Sequence, residues 1–140
     1  MKKVGLVLSA TVSLACGLIA PSAIGAGTGP KVTVQVKSLT KVLLKPTAVH
    51  GEKGSITKGG TPTGKCPGGS AAGALDAATH GKWTGKYYAS VGGIFITSIE
   101  GVKPPGKDFW SVFVDGKSSS KGICAIKLNA GEKLLFKIIK

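Results

Sequence analysis

The 140 residues contain no arginine; all 19 basic side chains are lysine. Without the rigid guanidinium fork that reads guanine or clamps a phosphate through paired hydrogen bonds, sequence-specific nucleic-acid binding is not expected. Acids are also scarce. The six, Glu52, Asp76, Glu100, Asp108, Asp115 and Glu132, show no close pairing, and only His50 and His80 accompany them. Catalysis needs proton-trading or nucleophilic groups placed together, so the sequence reads as non-enzymatic. Cysteine is confined to Cys16, Cys66 and Cys124. Neither Cys66 nor Cys124 has a second cysteine or a histidine at ligand spacing, which leaves no metal motif. No second long apolar run follows residue 20, so no membrane span is expected in the mature chain.

What is present begins with a secretory signal. A Lys2-Lys3 head, an apolar stretch from Val4 to Ala20 and small residues after Pro21 predict a signal peptide over 1–25, cleaved after Gly25 or Ala26. An acylated Cys16 fits less well, because Ser13 stands where a lipobox wants a branched apolar residue. A short leader, 26–30, then precedes one domain, 31–140; about 115 residues suffice for one core and not for two. The expected location is secreted, and in that oxidising setting Cys66 and Cys124 are expected to pair. Closing a loop of that length is worth about 4 kcal/mol in the chain-entropy model. Losing Lys2 and Lys3 takes the net charge from +13 to +11. The remaining lysines are spread from 31 to 140, which suits a solvated surface or weak attraction to anionic polymers.

Periodicity supplies the elements. "KVTVQVK" alternates Val32, Val34 and Val36 with polar residues, a half-buried strand. "KVLLKPTAV" continues as a second strand, placed at a sheet edge by Pro46. Residues 51–69, rich in Gly, Lys and Thr, read as a long surface loop. The only good helix is "SAAGALDAATHG". Ser70 stands at its N-cap, Ala71, Ala74, Leu75 and Ala78 line one face, and His80-Gly81 end it. Residues 81–93 read as a turn-rich connection carrying Trp83, Tyr87 and Tyr88, and "IFITSIEGV" as a strand. In "FWSVFVDG", Trp110, Val112 and Val114 face the core, Ser111 and Phe113 face away, and Asp115-Gly116 forms a tight hairpin turn. A short strand, an Asn-Ala-Gly turn and a closing strand with Leu134, Phe136 and Ile138 inward complete the chain. The list predicts an α+β domain: one mainly antiparallel or mixed sheet packed on a single short helix.

Two catalytic patterns are decoys. Gly59, Gly64 and Lys65 start a phosphate-loop pattern, but Cys66 replaces the magnesium-binding hydroxyl and no buried strand feeds the segment. Gly68-Gly69-Ser70-Ala71-Ala72 approaches a nucleophile elbow, with Ala72 where glycine is needed.

The ordered set of helix, Ile99-Glu100-Gly101, Trp110 to Gly116 and Gly131-Glu132 resembles the domain of unknown function related to the C-terminal domain of transcobalamin and intrinsic factor. That resemblance implies an exported, compact β-grasp-like fold that binds soluble ligands. In the animal carriers such a domain closes over cobalamin against a helical barrel, for which these residues hold no counterpart, so cobalamin enters by resemblance only and no cofactor is expected. The expected function is a secreted, non-catalytic binding module for a small ligand or glycan. Trp83, Tyr87 and Tyr88 would stack on the ligand, with Phe113 on the open sheet face beside them. The alternative is a structural or adhesive surface protein held to anionic cell-wall polymer by its lysines.

Overall fold

The computed structural model describes residues 29–140. The signal peptide and the start of the leader lie outside them. The chain forms β1 (Lys31–Lys37), β2 (Val42–His50), α1 (Ala71–Thr79), β3 (Trp83–Tyr88), β4 (Gly93–Ile99), β5 (Phe109–Val114), β6 (Lys117–Ser118) and β7 (Lys133–Ile139). Five strands make one mixed sheet in the order β2-β1-β7-β5-β6, while β3 and β4 form a separate two-stranded antiparallel sheet. The class is α+β as expected, with a hairpin split from the main sheet. β7 runs parallel to β1 and antiparallel to β5.

Alternation decides which face of the main sheet is covered. Val32, Val34 and Val36 of β1, Leu134, Phe136 and Ile138 of β7, and Trp110 and Val112 of β5 are all buried on one side; Val114, at the strand end, is half-buried. Pro46 lies on edge strand β2, where a missing N–H costs no ladder bond. Asp115 and Gly116 take φ of 49° and 83° between β5 and β6, the left-handed pair that a tight hairpin requires. The turn is tied to β7, because Lys133 N–H donates to Asp115 Oδ1 at 2.9 Å and Asp115 N–H donates to the Lys133 carbonyl at 2.9 Å.

The helix presents Ala71, Ala74, Leu75 and Ala78 to the core, all buried, and packs against β1, β2 and β3. Ser70 occupies the N-cap position, yet its hydroxyl donates to the Pro67 carbonyl at 2.6 Å instead of capping. The helix's first N–H groups are met by another loop: Ala71 donates to the Ile126 carbonyl at 2.9 Å and Ala72 to that of Ile123 at 3.2 Å. At the other end His80 itself adopts the left-handed cap, with φ 52°, and Gly81 N–H donates to the Asp76 carbonyl.

Three local expectations are corrected. Residues 83–88 are a strand, bulged at Thr84/Gly85; a side chain at Gly85 would collide with Ile94, so the glycine that reads as a turn is required for pairing. Residues 125–128 alternate like a strand but make only a single bridge, Ser70 to Lys127, because their backbone caps the helix. The 51–69 loop is no surface excursion: it holds a 3-10 turn at Lys58–Gly60, buries Ile56, Thr61 and Cys66, and is closed by bonds between Glu52 and Gly68 and between Ile56 and Cys66.

The Cys66–Cys124 disulfide joins that loop to the helix-capping loop. Replacing both cysteines by alanine is expected to cost about 4 kcal/mol, read by urea unfolding. Gly73 offers a sharper check. Alanine there should gain about 1 kcal/mol of helix propensity, but its methyl would overlap the Gly68 carbonyl. Gly73→Ala is therefore expected to destabilise by roughly 1–3 kcal/mol, the range for overpacking; a stabilised variant in thermal unfolding would contradict this packing.

Candidate functional site

The four aromatics singled out in the sequence are scattered. Trp83 is 2% exposed and belongs to the core, so its ring offers no stacking surface. Its indole Nε1 donates to Asp76 Oδ1 at 2.7 Å, and Lys58 Nζ lies 5.1 Å from its ring centre. Tyr87 is half-buried against the core. Tyr88 points to the outer face of the hairpin, exposed, with Lys86 Nζ 5.3 Å from its ring centre. Phe113 sits half-buried on the open face of the main sheet, opposite Leu135 of β7. Burial of Trp83 follows from strand alternation: Trp83 and Tyr87 face inward, Tyr88 outward.

Lys58 fixes the loop to the helix end. Its Nζ donates to the carbonyls of Gly81 and Trp83, at 2.7 and 2.9 Å, and lies 3.6 Å from Asp76 Oδ1. Glu52 faces the same carboxylate. Burial, and then the negative charge of Asp76 with a side-chain hydrogen bond between the two, push the Glu52 carboxyl above its usual value of 4.5, against the opposing pull of Lys58.

A cleft of about 260 Å³ opens where the two sheets meet. One wall is β4, through Ile94, Phe95 and Ile96; the other is β5, through Phe109 to Val112; Ser119 to Ile123 form the lip. Successive residues of both strands take part because the cleft meets their edges, not their faces. β4 pairs only with β3, and β5 is covered on this side only where β6 reaches Phe113 and Val114. Ser119 N–H donates to the Val112 carbonyl at 2.9 Å, which places that carbonyl on the cleft edge. By two-residue alternation the N–H and C=O of Trp110 lie on the same edge. Phe95 is 49% and Phe109 37% exposed, whereas Trp110 is 5% exposed. The Trp110 indole Nε1 is buried and has no hydrogen-bond partner among the described residues.

Such a donor is expensive. Leaving a buried N–H unmatched costs about 1–3 kcal/mol, and tryptophan buried in a core normally finds an acceptor. The sequence marked Trp110 as core, which is correct, but gave no sign of its unmatched N–H. Phe95 was detectable: with Ile94 and Ile96 inward, it must face out.

Residues 68–140 match the family described as a domain of unknown function, DUF4430. The chain belongs to DUF4430. No curated protein matches it. Among solved structures, this DUF4430 chain shares its fold with haptocorrin crystallised in complex with Cbi, with a TM-score of 0.57 at 16% identity over 79% of this chain. It spans only 25% of that haptocorrin chain. It also shares its fold with a candidate metal-binding protein from Ruminococcus gnavus ATCC 29149, with a TM-score of 0.54 at 12% identity over 79% of this chain and 97% of that one. The transcobalamin-like resemblance read from the sequence thus holds at the level of fold. The disulfide is consistent with an extracellular setting, and no helix among the described residues is long and apolar enough to cross a membrane.

The Glu52 environment predicts a pH effect. Because its folded-state pKa is raised, the native protein holds the extra proton more tightly, so this contribution to stability is complete below 4.5 and is lost as pH rises through the folded value. Glu52→Gln, which keeps the hydrogen bond without the charge, should therefore raise the thermal midpoint at neutral pH. The gain should vanish below pH 4.5. A gain independent of pH would assign it to something other than the carboxylate pair.

Proposed function

We propose that the domain is a non-catalytic binding module of an exported protein, and that its soluble ligand sits in the cleft between β4 and β5. The supporting observation is the unmatched indole N–H of Trp110 at a cleft walled by Phe95 and Phe109. Aromatic and aliphatic walls grip a flat or apolar group, while Trp110 and the serines of the lip offer hydrogen bonds that orient it.

Size narrows the mode of binding. At about 260 Å³ the cleft is below the roughly 300–1,000 Å³ of pockets that enclose a drug-sized molecule, so it grips one edge or side group of a larger ligand. The fold shared with haptocorrin, crystallised with Cbi, makes corrinoids the first class to test, and glycans the second. Metal binding, suggested for the Ruminococcus gnavus protein, does not fit the described residues. They contain no group of three or more His, Cys, Asp or Glu side chains placed to hold a metal, and both cysteines are bonded to each other.

The test is a thermal-shift and tryptophan-fluorescence titration with corrinoids and oligosaccharides, run on the wild type and on Phe95→Ser. A true ligand at about 100 times its Kd should add about 2.7 kcal/mol to wild-type stability. Phe95 is too exposed to be a core residue, so the unliganded variant should stay within about 0.5 kcal/mol of the wild type while losing most of the ligand's effect. A ligand that stabilises both proteins equally binds elsewhere, and the cleft assignment falls.

A further inference from the structure

The uncovered face of the main sheet has a charge pattern unrelated to the cleft. No Asp or Glu occurs within any of its five strands. Its outward positions carry Lys31 and Lys37 on β1 and Lys133 and Lys137 on β7. Asp115 and Glu132 stand at one end, beside Lys133, and Asp108 at the other, so the middle rows have no counter-charge from the strands.

Lys37, the last residue of β1, and Lys137 are direct register partners on adjacent parallel strands. Like charges directly opposite on one face destabilise a sheet. Neither lysine is ion-paired; among the described residues the one ion pair joins Lys58 and Asp76. An arrangement that works against folding is relieved by an anion lying between the two ammonium groups.

The central apolar residues of the face are set low, and the exposed ones, Phe109 and Val42, stand only at the first positions of β5 and β2. Phe113, Leu135 and Ile139 are half-buried, whereas Lys133 and Lys137 are exposed. A surface that inserts into lipid has the opposite relief, with apolar side chains standing proud. A shallow depression of about 270 Å³, bordered by Thr33, Gln35, Pro46 and Leu135, lies next to this lysine row.

We propose that this sheet face docks a polyanionic chain bearing repeated phosphate groups, with one phosphate seated between Lys37 and Lys137 and the chain running along β7 toward Lys133. Lysine suits this role: as a flexible point charge it neutralises phosphates without demanding the fixed geometry that arginine imposes. Ser111, the register partner of Lys137, also lines the cleft, yet phosphate binding by the lysines does not depend on a ligand there, and either can fail without the other.

The experiment measures binding of long-chain inorganic polyphosphate across a salt series. It compares the wild type, the face variant Lys37→Gln/Lys137→Gln, and a loop variant of equal net charge, Lys53→Gln/Lys65→Gln. The face variant should bind more weakly, and its slope of log affinity against log salt should be shallower by about 1–2 for two lost phosphate contacts. The loop variant and Phe95→Ser should bind like the wild type. Without polyanion the face variant should melt at a higher temperature than the wild type, which also shows that it folds. Equal losses in the face and loop variants would mean that binding follows net charge alone and would overturn the proposal. Retention on phosphatidylglycerol vesicles with no affinity for polyphosphate would assign the face to a lipid surface and overturn it too.

Discussion

The domain depends on how the N-terminus of α1 is held. Nine residues faced with alanine cannot sustain a helix alone, and its expected cap, the Ser70 hydroxyl, is committed elsewhere. The free N–H groups are met by carbonyls of Ile123 and Ile126, 51 and 55 residues later in the chain than the donors Ala72 and Ala71. Leu128 N–H donates back to Gly69, and Cys124 is bonded to Cys66, just before the helix. Gly68 lets its backbone lie against Glu52, and Gly73 lets the helix lie against Gly68, which packs the helix start onto the loop before it. The disulfide therefore does more than restrict the unfolded chain: it fixes the carbonyls that the helix requires.

That clamp also positions the cleft. The segment that caps the helix is continuous with the cleft lip at Ser119–Ile123, and β5, the opposite end of the same hairpin, supplies the wall. Trp110 belongs to both structures. Its ring fills the core together with Val112 and Phe136, while its main-chain groups lie on an edge that β6 is too short to cover. A longer β6 would have covered that edge and closed the cleft. The two-residue length of β6 follows from the Ser119-Ser120-Lys121-Gly122 stretch after it, which offers no alternating apolar residues to extend the strand.

Much of this was legible in the sequence because period-two alternation is strong in β1, β5 and β7, and because Pro46 and Asp115-Gly116 each have a conformational meaning that context does not override. The failures share one cause. Gly85, the 125–128 segment and the 51–69 loop were judged by local composition, whereas their conformations are set by partners distant in the chain: Ile94 across the hairpin, the first turn of α1, and the Cys66 bridge. The candidate site was the least legible part. Trp83 and Trp110 look equivalent in sequence, each in an aromatic strand. Only the fold shows that Asp76 accepts from one indole and that no described residue accepts from the other.

The distribution of charge carries the same logic to the surface. The few acids are spent on local geometry. Asp115 and Glu132 accept from backbone N–H groups at turns, and Asp76 accepts from Trp83 beside Lys58. Glu52 is drawn into the same network. Only Asp115 and Glu132 come near the lysines of the open sheet face, at its Lys133 end, while Asp76 and Glu52 are held in the network of the loop and helix. With no arginine to form rigid pairs and no acid in the strands, the sheet keeps an uncompensated positive face on the side away from its helix. The scarcity of acids and the absence of arginine are thus the conditions under which a lysine-bearing sheet remains available to an anionic partner.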